Sequence, residues 1–199
     1  MAGERMAWTD DVTSVQRHLA RYVWALRWCR GKTVLDAGCG IGYGTALLAN
    51  VCRGVEGIDS SREAIIVAQD RYGPPPAHGC MFWHTSIEKH TPCWSYDTVV
   101  AFEVLEHLEN MEAGMEKLLA MTKEALLVSL PVNSGDNPYH HGRNMSVADC
   151  DAFMEGRGDV LDLCYQPLYV TSHVEVRPRP IENPDNVAHL LYVVWKGAV

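Results

Sequence analysis

The sequence predicts an α/β domain: a doubly wound, mostly parallel seven-stranded sheet with helices on both faces and an antiparallel last strand. Three observations carry that expectation. Short apolar runs alternate with segments of helical period along the chain. A glycine-rich turn, Gly38 to Gly44, follows the first of those runs. The run Thr98 to Phe102 is continuous in apolar residues, as a strand buried on both faces should be.

The elements follow in order. Val15, Leu19, Tyr22, Val23 and Leu26 recur at helical spacing, so Thr13 to about Cys29 reads as an amphipathic helix, with Asp10 and Asp11 where negative charge suits its N-terminus. Thr33-Val34-Leu35 is a short strand ending at Asp36, and the glycine turn leads into a helix from Thr45 to Asn50. Val51 to Ile58 reads as the second strand and stops at Asp59; Ser60 and Glu63 fit a capping box that opens the next helix. That helix ends near Tyr72, because Gly73-Pro74-Pro75-Pro76 cannot continue it. Met81 to Trp83 is the third strand and Thr98 to Phe102 the fourth. Met111, Met115, Leu118 and Leu119 mark a further helix, and Ala125 to Leu130 is a fifth strand stopped by Pro131. A helix over Val147 to Met154 precedes two β-rich segments, Val160 to Val170 and Ala188 to Trp195, joined by a Pro-rich connection.

Bulk properties narrow the class. A chain of 199 residues forms one domain with a full core, so residues 1–199 are read as a single unit with the first helix as its lid or cap. No apolar run is long enough to span a bilayer, and Met1 to Asp11 lacks the apolar stretch of a secretory signal. Seven cysteines, an odd number without a C-x-x-C pair, read as reduced thiols; the expected location is therefore the cytoplasm. A net charge of −8 gains nothing from a phosphate backbone and argues against a dedicated nucleic-acid binder. The five basic residues between Val12 and Leu35, with no acid among them, read as a solvated helix face.

In a doubly wound sheet, ligands bind at the C-terminal strand ends near the switch point, and the chemically unusual residues all fall there. The turn Asp36-Ala37-Gly38-Cys39-Gly40-Ile41-Gly42-Tyr43-Gly44 lets backbone approach a ligand closely. It lacks the Gly-Lys-Ser/Thr of a phosphate loop, and a G-x-G-x-x-G dinucleotide fingerprint would need glycine at Tyr43. Asp36, two residues before the first glycine, would repel a pyrophosphate and suit a cationic amino acid moiety. Asp59 ends the second strand nineteen residues after Gly40, where a carboxylate accepts hydrogen bonds from both ribose hydroxyls. The pocket asks for a ligand with a ribose, no phosphate and a positive end. S-adenosylmethionine (SAM) has all three.

The runs VLDAGCGIGYGTALLA, EGIDSS and VVAFEVLEHL, in that order over roughly residues 14–155, resemble class I, Rossmann-like SAM-dependent methyltransferases. Arg17-His18-Leu19-Ala20-Arg21-Tyr22 resembles the H-x-x-R-Y helix of one subgroup, and Asn137-Pro138-Tyr139-His140 its N-P-[FY]-H segment; members with both are often linked to small-molecule or sugar methylation. The resemblance implies SAM as cofactor. It places Gly38 and Gly40, with Cys39 between them, at the methionine part, and Asp59 with Ser60 at the ribose. Ser86 and Ile87 would flank the adenine, Phe102 and Glu103 would line the pocket floor, and Arg21 and Tyr22 would lie by the SAM carboxylate. One departure shows: Ser86 stands where the family usually has Asp, so adenine recognition would rest on a hydroxyl and a backbone N–H.

For the acceptor, Glu103-Val104-Leu105-Glu106-His107 follows the fourth strand, and Pro131 to Met145, with Tyr139, His140, His141 and Arg143, follows the fifth. Methyl transfer from a sulfonium needs alignment, and a base if the acceptor is a hydroxyl. His107 and His140 are the catalytic candidates. Glu103, Glu106 and His107, with a histidine from the 140–141 pair, could also ligate an oxygen-preferring cation. Glu103 has a competing role beside the cofactor, however, and the E-x-x-E-H run also resembles relatives without a metal, so no metal is expected. The predicted function is methyl transfer from SAM to a small-molecule or sugar acceptor, at a hydroxyl oxygen. RNA 2′-O-methylation is the alternative, because small-RNA 3′-end methyltransferases share the E-x-x-E-H segment; −8 net charge opposes it. A regulatory subunit that keeps only the fold is a third reading, opposed by the intact Asp36, Gly38, Gly40 and Asp59. With no inserted acceptor domain, a second copy could complete the site as a homodimer.

Overall fold

Strand β1 (Thr33–Ala37) is buried from Val34 onward and lies inside the sheet, paired in parallel with β2 (Gly54–Asp59) on one side and β4 (Tyr96–Phe102) on the other. The computed structural model describes residues 12–73, 80–92, 95–135, 137–141, 143–168, 176–178, 181 and 186–196. From β1 the chain passes through helix α2 (Tyr43–Ala49) to β2, then through α3 (Arg62–Tyr72) to the edge strand β3 (Met81–His84). It then returns to the far side of β1 as β4, and continues through α4 (Met111–Met121) to β5 (Thr122–Pro131). The order of strands therefore reverses between β1 and β4, which is where such sheets open a crevice for ligands.

After α5 (Val147–Met154) come β6 (Asp159–Gln166), the short β7 (Arg177–Pro178) and β8 (His189–Trp195). The full order is β3-β2-β1-β4-β5-β8-β6-β7, with β8 antiparallel to both β5 and β6. The last strand is antiparallel as expected. The count is eight because the two-residue β7 pairs with β6 inside the connection the sequence marks only as proline-rich.

Side-chain alternation sorts the core onto two faces. Leu35, Ile58, Val99, Leu126 and Val128 pack with Met115 and Leu118 of α4 and Cys150 and Met154 of α5. Their neighbours Val34, Val55, Val100 and Leu127 pack on the opposite face with Ala25 and Cys29 of α1 (Val12–Cys29), Leu48 of α2 and Ile65 of α3. Leu35, Leu126, Leu127 and Leu130 have no exposed area, so each contributes about 2–3 kcal/mol of burial.

Several boundaries move. Helix α2 begins at Tyr43, two residues early, because Gly42 in the left-handed region serves as its N-cap. β2 begins at Gly54; Val51 and Cys52 instead donate to the Leu48 carbonyl as α2 ends. The cap of α3 is Ser61, not Ser60: its hydroxyl accepts from Ala64 N–H and donates to Glu63. α5 spans its expected residues, closed by a capping box between Ser146 and Asp149. The described cysteines are free thiols, buried except for the half-buried Cys52. Asp10, Asp11, Pro74–Pro76, Cys93 and Val170 lie outside the described residues. No described helix is long and apolar enough to cross a membrane.

Candidate active site

At the C-terminal ends of β1, β2, β4 and β5 the chain encloses a cavity of about 1140 Å³. This exceeds the few hundred to about 1,000 Å³ of ordinary ligand pockets and leaves room for two molecules side by side. One end is built on the glycine loop. Gly38 and Cys39 both donate backbone N–H to the Ile58 carbonyl, at 2.8 and 2.9 Å, which folds the loop onto β2. Gly38 has φ +81°, and a Cβ there would stand 2.3 Å from Val104 Cγ2. Only glycine meets both demands.

Two aspartates anchor this end differently. Asp59, at the tip of β2, faces the cavity; its carboxylate accepts from Ser61 N at 2.7 Å and Gly40 N at 3.0 Å. A carboxylate has about four lone-pair sites, so capacity for ligand hydroxyls is left. Asp36 is fully buried beneath the loop, not on the cavity wall. It accepts from Thr45 Oγ1 at 2.6 Å and from the Tyr22 hydroxyl at 3.1 Å. Burial pushes its carboxyl up to about 6, against the two hydrogen bonds that favour the ionised form.

Helix α1 closes the side of the cavity with Arg17, His18 and Tyr22. Arg21, expected at the cofactor, is 0% exposed and donates to Gln166 Oε1 of β6 at 2.8 Å. Like Asp36, Arg21 is fully buried and does not line the cavity, and its charge acts on His18 and Glu103, which do. Burial, with Arg21 next in weight, lowers the His18 imidazole to about 3 and keeps it neutral.

Glu103 follows β4 with φ +56°, unusual for a side-chain-bearing residue. Its N–H donates to Ser129 Oγ at 3.0 Å, the Ser129 hydroxyl donates to its Oε1 at 2.7 Å, and His189 Nε2 lies 3.1 Å from its Oε2. Burial pushes this carboxyl up, but the charges of His189 and Arg21 and those hydrogen bonds outweigh it and hold Glu103 ionised. His189 is lowered by burial, against Glu103. Sequence reasoning missed Ser129 and His189; neither has a local signal, and pairing of β4 with β5 brings Ser129 to Glu103 while pairing of β5 with β8 brings His189.

The other end of the cavity is formed by the one-turn 3-10 helix Leu105–His107 and by the loop after β5, which carries a second one, Pro138–His140. The loops are clamped together. His107 Nδ1 is 3.1 Å from the Tyr139 carbonyl, His141 Nε2 is 3.0 Å from the His107 carbonyl, and Arg143 donates to the carbonyls of Glu106 and Glu109 at 2.9 and 2.8 Å. The rings of His107 and His140 meet edge to face with centroids 5.0 Å apart. Ligand atoms of Glu106, His107 and His140 all lie within 4.8 Å of one another, close enough to consider a metal.

The structure thus gathers Tyr22, Gly38, Cys39, Gly40, Asp59, Ser60, Ser86, Ile87, Phe102, Glu103, His107 and His140 around one cavity. Thr85 and Glu88 join Ser86 and Ile87 in the cavity lining.

Comparison with known proteins agrees with this architecture. Residues 35–125 match the family model described as a methyltransferase domain. A probable S-adenosylmethionine-dependent methyltransferase of Mycolicibacterium smegmatis is 31% identical over 153 residues, covering 72% of this chain and 58% of the relative. The chain thus spans a little over half the length of that relative. The crystal structure of the N-methyltransferase NodS from Bradyrhizobium japonicum superposes with a TM-score of 0.69 at 19% identity, covering 94% of this chain and 97% of that one. Magnesium protoporphyrin IX methyltransferase from Synechocystis, with bound SAM, gives 0.69 at 18% identity, covering 96% and 86%. At such identities the superpositions establish the fold.

Proposed function

From a chain that carries the class I methyltransferase fold and a methyltransferase-domain match over residues 35–125, we propose a SAM-dependent methyltransferase acting on a small-molecule or sugar acceptor, at a hydroxyl oxygen. The observation that carries this reading is the division of one cavity into two ends. The glycine loop and Asp59 line one end, with a carboxylate suited to ribose hydroxyls, and the Glu106, His107 and His140 side chains line the other, polar end.

Within this reading the cofactor's amino acid part lies along Gly38, Cys39 and Gly40 over Phe102 and Glu103. Asp59 and Ser60 take the ribose, and Ser86 and Ile87 border the adenine. Tyr22 closes the methionine end, while Arg21 and Asp36 are fully buried and off the cavity wall. In-line displacement then needs the acceptor atom beyond the sulfonium methyl, at the histidine end. A hydroxyl loses its proton as it attacks, and an imidazole there takes it up, so His107 and His140 support oxygen as the acceptor atom. SAM and S-adenosylhomocysteine are the ligands, with the cytoplasm, where thiols stay reduced, as the setting. A second copy could complete the acceptor side as a homodimer.

Calorimetry with S-adenosylhomocysteine should give one-to-one binding in the low micromolar range or tighter; no heat would overturn the cofactor assignment. Transfer of labelled methyl from SAM across sugars, phenols and short RNAs should label sugars or phenols. Labelling of RNA alone would replace the acceptor class and leave the cofactor intact.

A further inference from the structure

We propose that Glu106, His107 and His140 form a binding site for one divalent first-row transition-metal ion at the acceptor end of the cavity. Its catalytic use would rest on the function proposed above; its existence does not, because binding can be measured without methyl transfer.

The donor set comes first. The sequence offers Glu103 as a ligand beside Glu106 and His107, and Glu103's competing role speaks against a metal. The structure removes that conflict. Glu103 turns to Ser129 and His189, while the loop after β5 delivers His140 in its place. One carboxylate and two imidazoles, each offering an atom within 4.8 Å of the others, remain. This is no solvated acidic cluster: Glu106 is 1% exposed and His140 5%.

The ligands are also oriented. The Tyr139 carbonyl can only accept, so in the neutral His107 ring the proton sits on Nδ1 and the lone pair on Nε2. That nitrogen faces Glu106 Oε1 at 3.9 Å, beyond hydrogen-bond reach. Two electron-rich atoms so placed are stabilised by a cation between them. A carbonyl on the remote ring nitrogen is also the usual support of a metal-bound histidine. His140 is held likewise: Asn137 Nδ2, a donor, lies 3.1 Å from Nε2, and Ser134 Oγ lies 3.0 Å from Nδ1. An ion takes the lone pair that Asn137 now meets. Ligands at about 2.1 Å around a tetrahedral centre stand about 3.4 Å apart, so atoms now within 4.8 Å of one another need to close by at most about 1.4 Å.

Ligand chemistry selects the ion. Two imidazoles and one carboxylate favour zinc, cobalt, iron or manganese over magnesium or calcium, which prefer all-oxygen sites. Three protein ligands leave positions open toward the cavity, where an acceptor hydroxyl would coordinate and be polarised; with the ion bound, that polarisation takes the place of proton uptake by a free His107 or His140 imidazole.

The test titrates Co²⁺ into the chelator-treated 199-residue chain and follows visible absorption and heat. One ion per chain is expected, without the thiolate charge-transfer band that the cysteines would produce. His107→Ala, on a half-buried side chain, and the isosteric Glu106→Gln should each weaken binding at least about tenfold, and His140→Ala likewise. Melting curves verify that each variant folds, and S-adenosylhomocysteine titration in EDTA reports the cofactor end separately. Absence of binding to the wild type, or equal binding by the His107→Ala and Glu106→Gln variants, overturns the site. Loss of S-adenosylhomocysteine binding alone would overturn the cofactor assignment and leave the metal site standing.

Discussion

Asp59→Ala tests the cofactor end most directly, because the carboxylate does two jobs there. In the protein it accepts Ser61 N–H at 2.7 Å and Gly40 N–H at 3.0 Å. In the proposed complex it also accepts two ribose hydroxyls. A hydrogen bond to a charged group contributes about 1.5–3 kcal/mol, so losing the ribose pair costs about 3 kcal/mol at the low end, or about 150-fold in affinity. The orphaned N–H of buried Ser61 adds about 1–3 kcal/mol of instability, which lowers the melting temperature of a domain this size by several degrees. These effects separate with a ligand lacking the ribose 2′-hydroxyl. Calorimetry should show 2′-deoxy-S-adenosylhomocysteine binding the wild type about tenfold more weakly than the parent compound. The Asp59→Ala variant should not discriminate between them. An Asp59→Ala affinity within threefold of wild type, or an unchanged 2′-hydroxyl preference in the variant, would refute the assignment of Asp59 to the ribose.

Gly44→Ala should unfold easily although alanine favours helix, because its Cβ would stand 2.0 Å from Tyr22 Cζ; a cost of about 1–3 kcal/mol is expected by thermal melting, against no change for Gly54→Ala, whose Cβ meets nothing within 4 Å. Asp36 carries a pH signature. Its folded pKa, about 6, lies above the ordinary 3.8, so its contribution is fully favourable below 3.8 and is lost as pH rises through 6. That difference of about two units amounts to about 3 kcal/mol. The stability of Asp36→Asn relative to wild type should therefore improve between pH 4 and 6 and level off above; a flat difference would show that Asp36 titrates normally. His107→Ala and His140→Ala should each lower turnover on the true acceptor while S-adenosylhomocysteine affinity stays within a few fold; normal turnover by both would make them structural.

The strands, and the residues that gather at the glycine-loop end of the cavity, were legible because their signals are local. A strand, a glycine turn and an aspartate at the next strand end are consecutive features, and each side chain reaches the cavity from where its own strand stops. What the sequence does not give at this end is depth. Asp36 and Arg21 stand in the right motifs, yet no local pattern says that Thr45 and Tyr22 will enclose the one, or Gln166 the other. Nor could periodicity find β7, two residues long and defined only by its pairing with β6.

The acceptor end shows why long-range pairing sets chemistry that a motif only suggests. Read along the chain, Glu103, Glu106 and His107 look like one group. In the fold, Glu103 adopts a positive φ immediately after β4. That backbone turn is held by Ser129 on β5 and, through the carboxylate, by His189 on β8. It sends Glu103 toward α1 and the cofactor end, seats Val104 against Gly38, and leaves Glu106 and His107 facing the loop that brings His140. A single left-handed residue thus divides the motif between the two ends of the cavity. His189→Ala, far from Glu106 in sequence, should therefore disturb both ends together: it removes one partner of Glu103, whose ionised, buried carboxylate depends on His189 and Arg21.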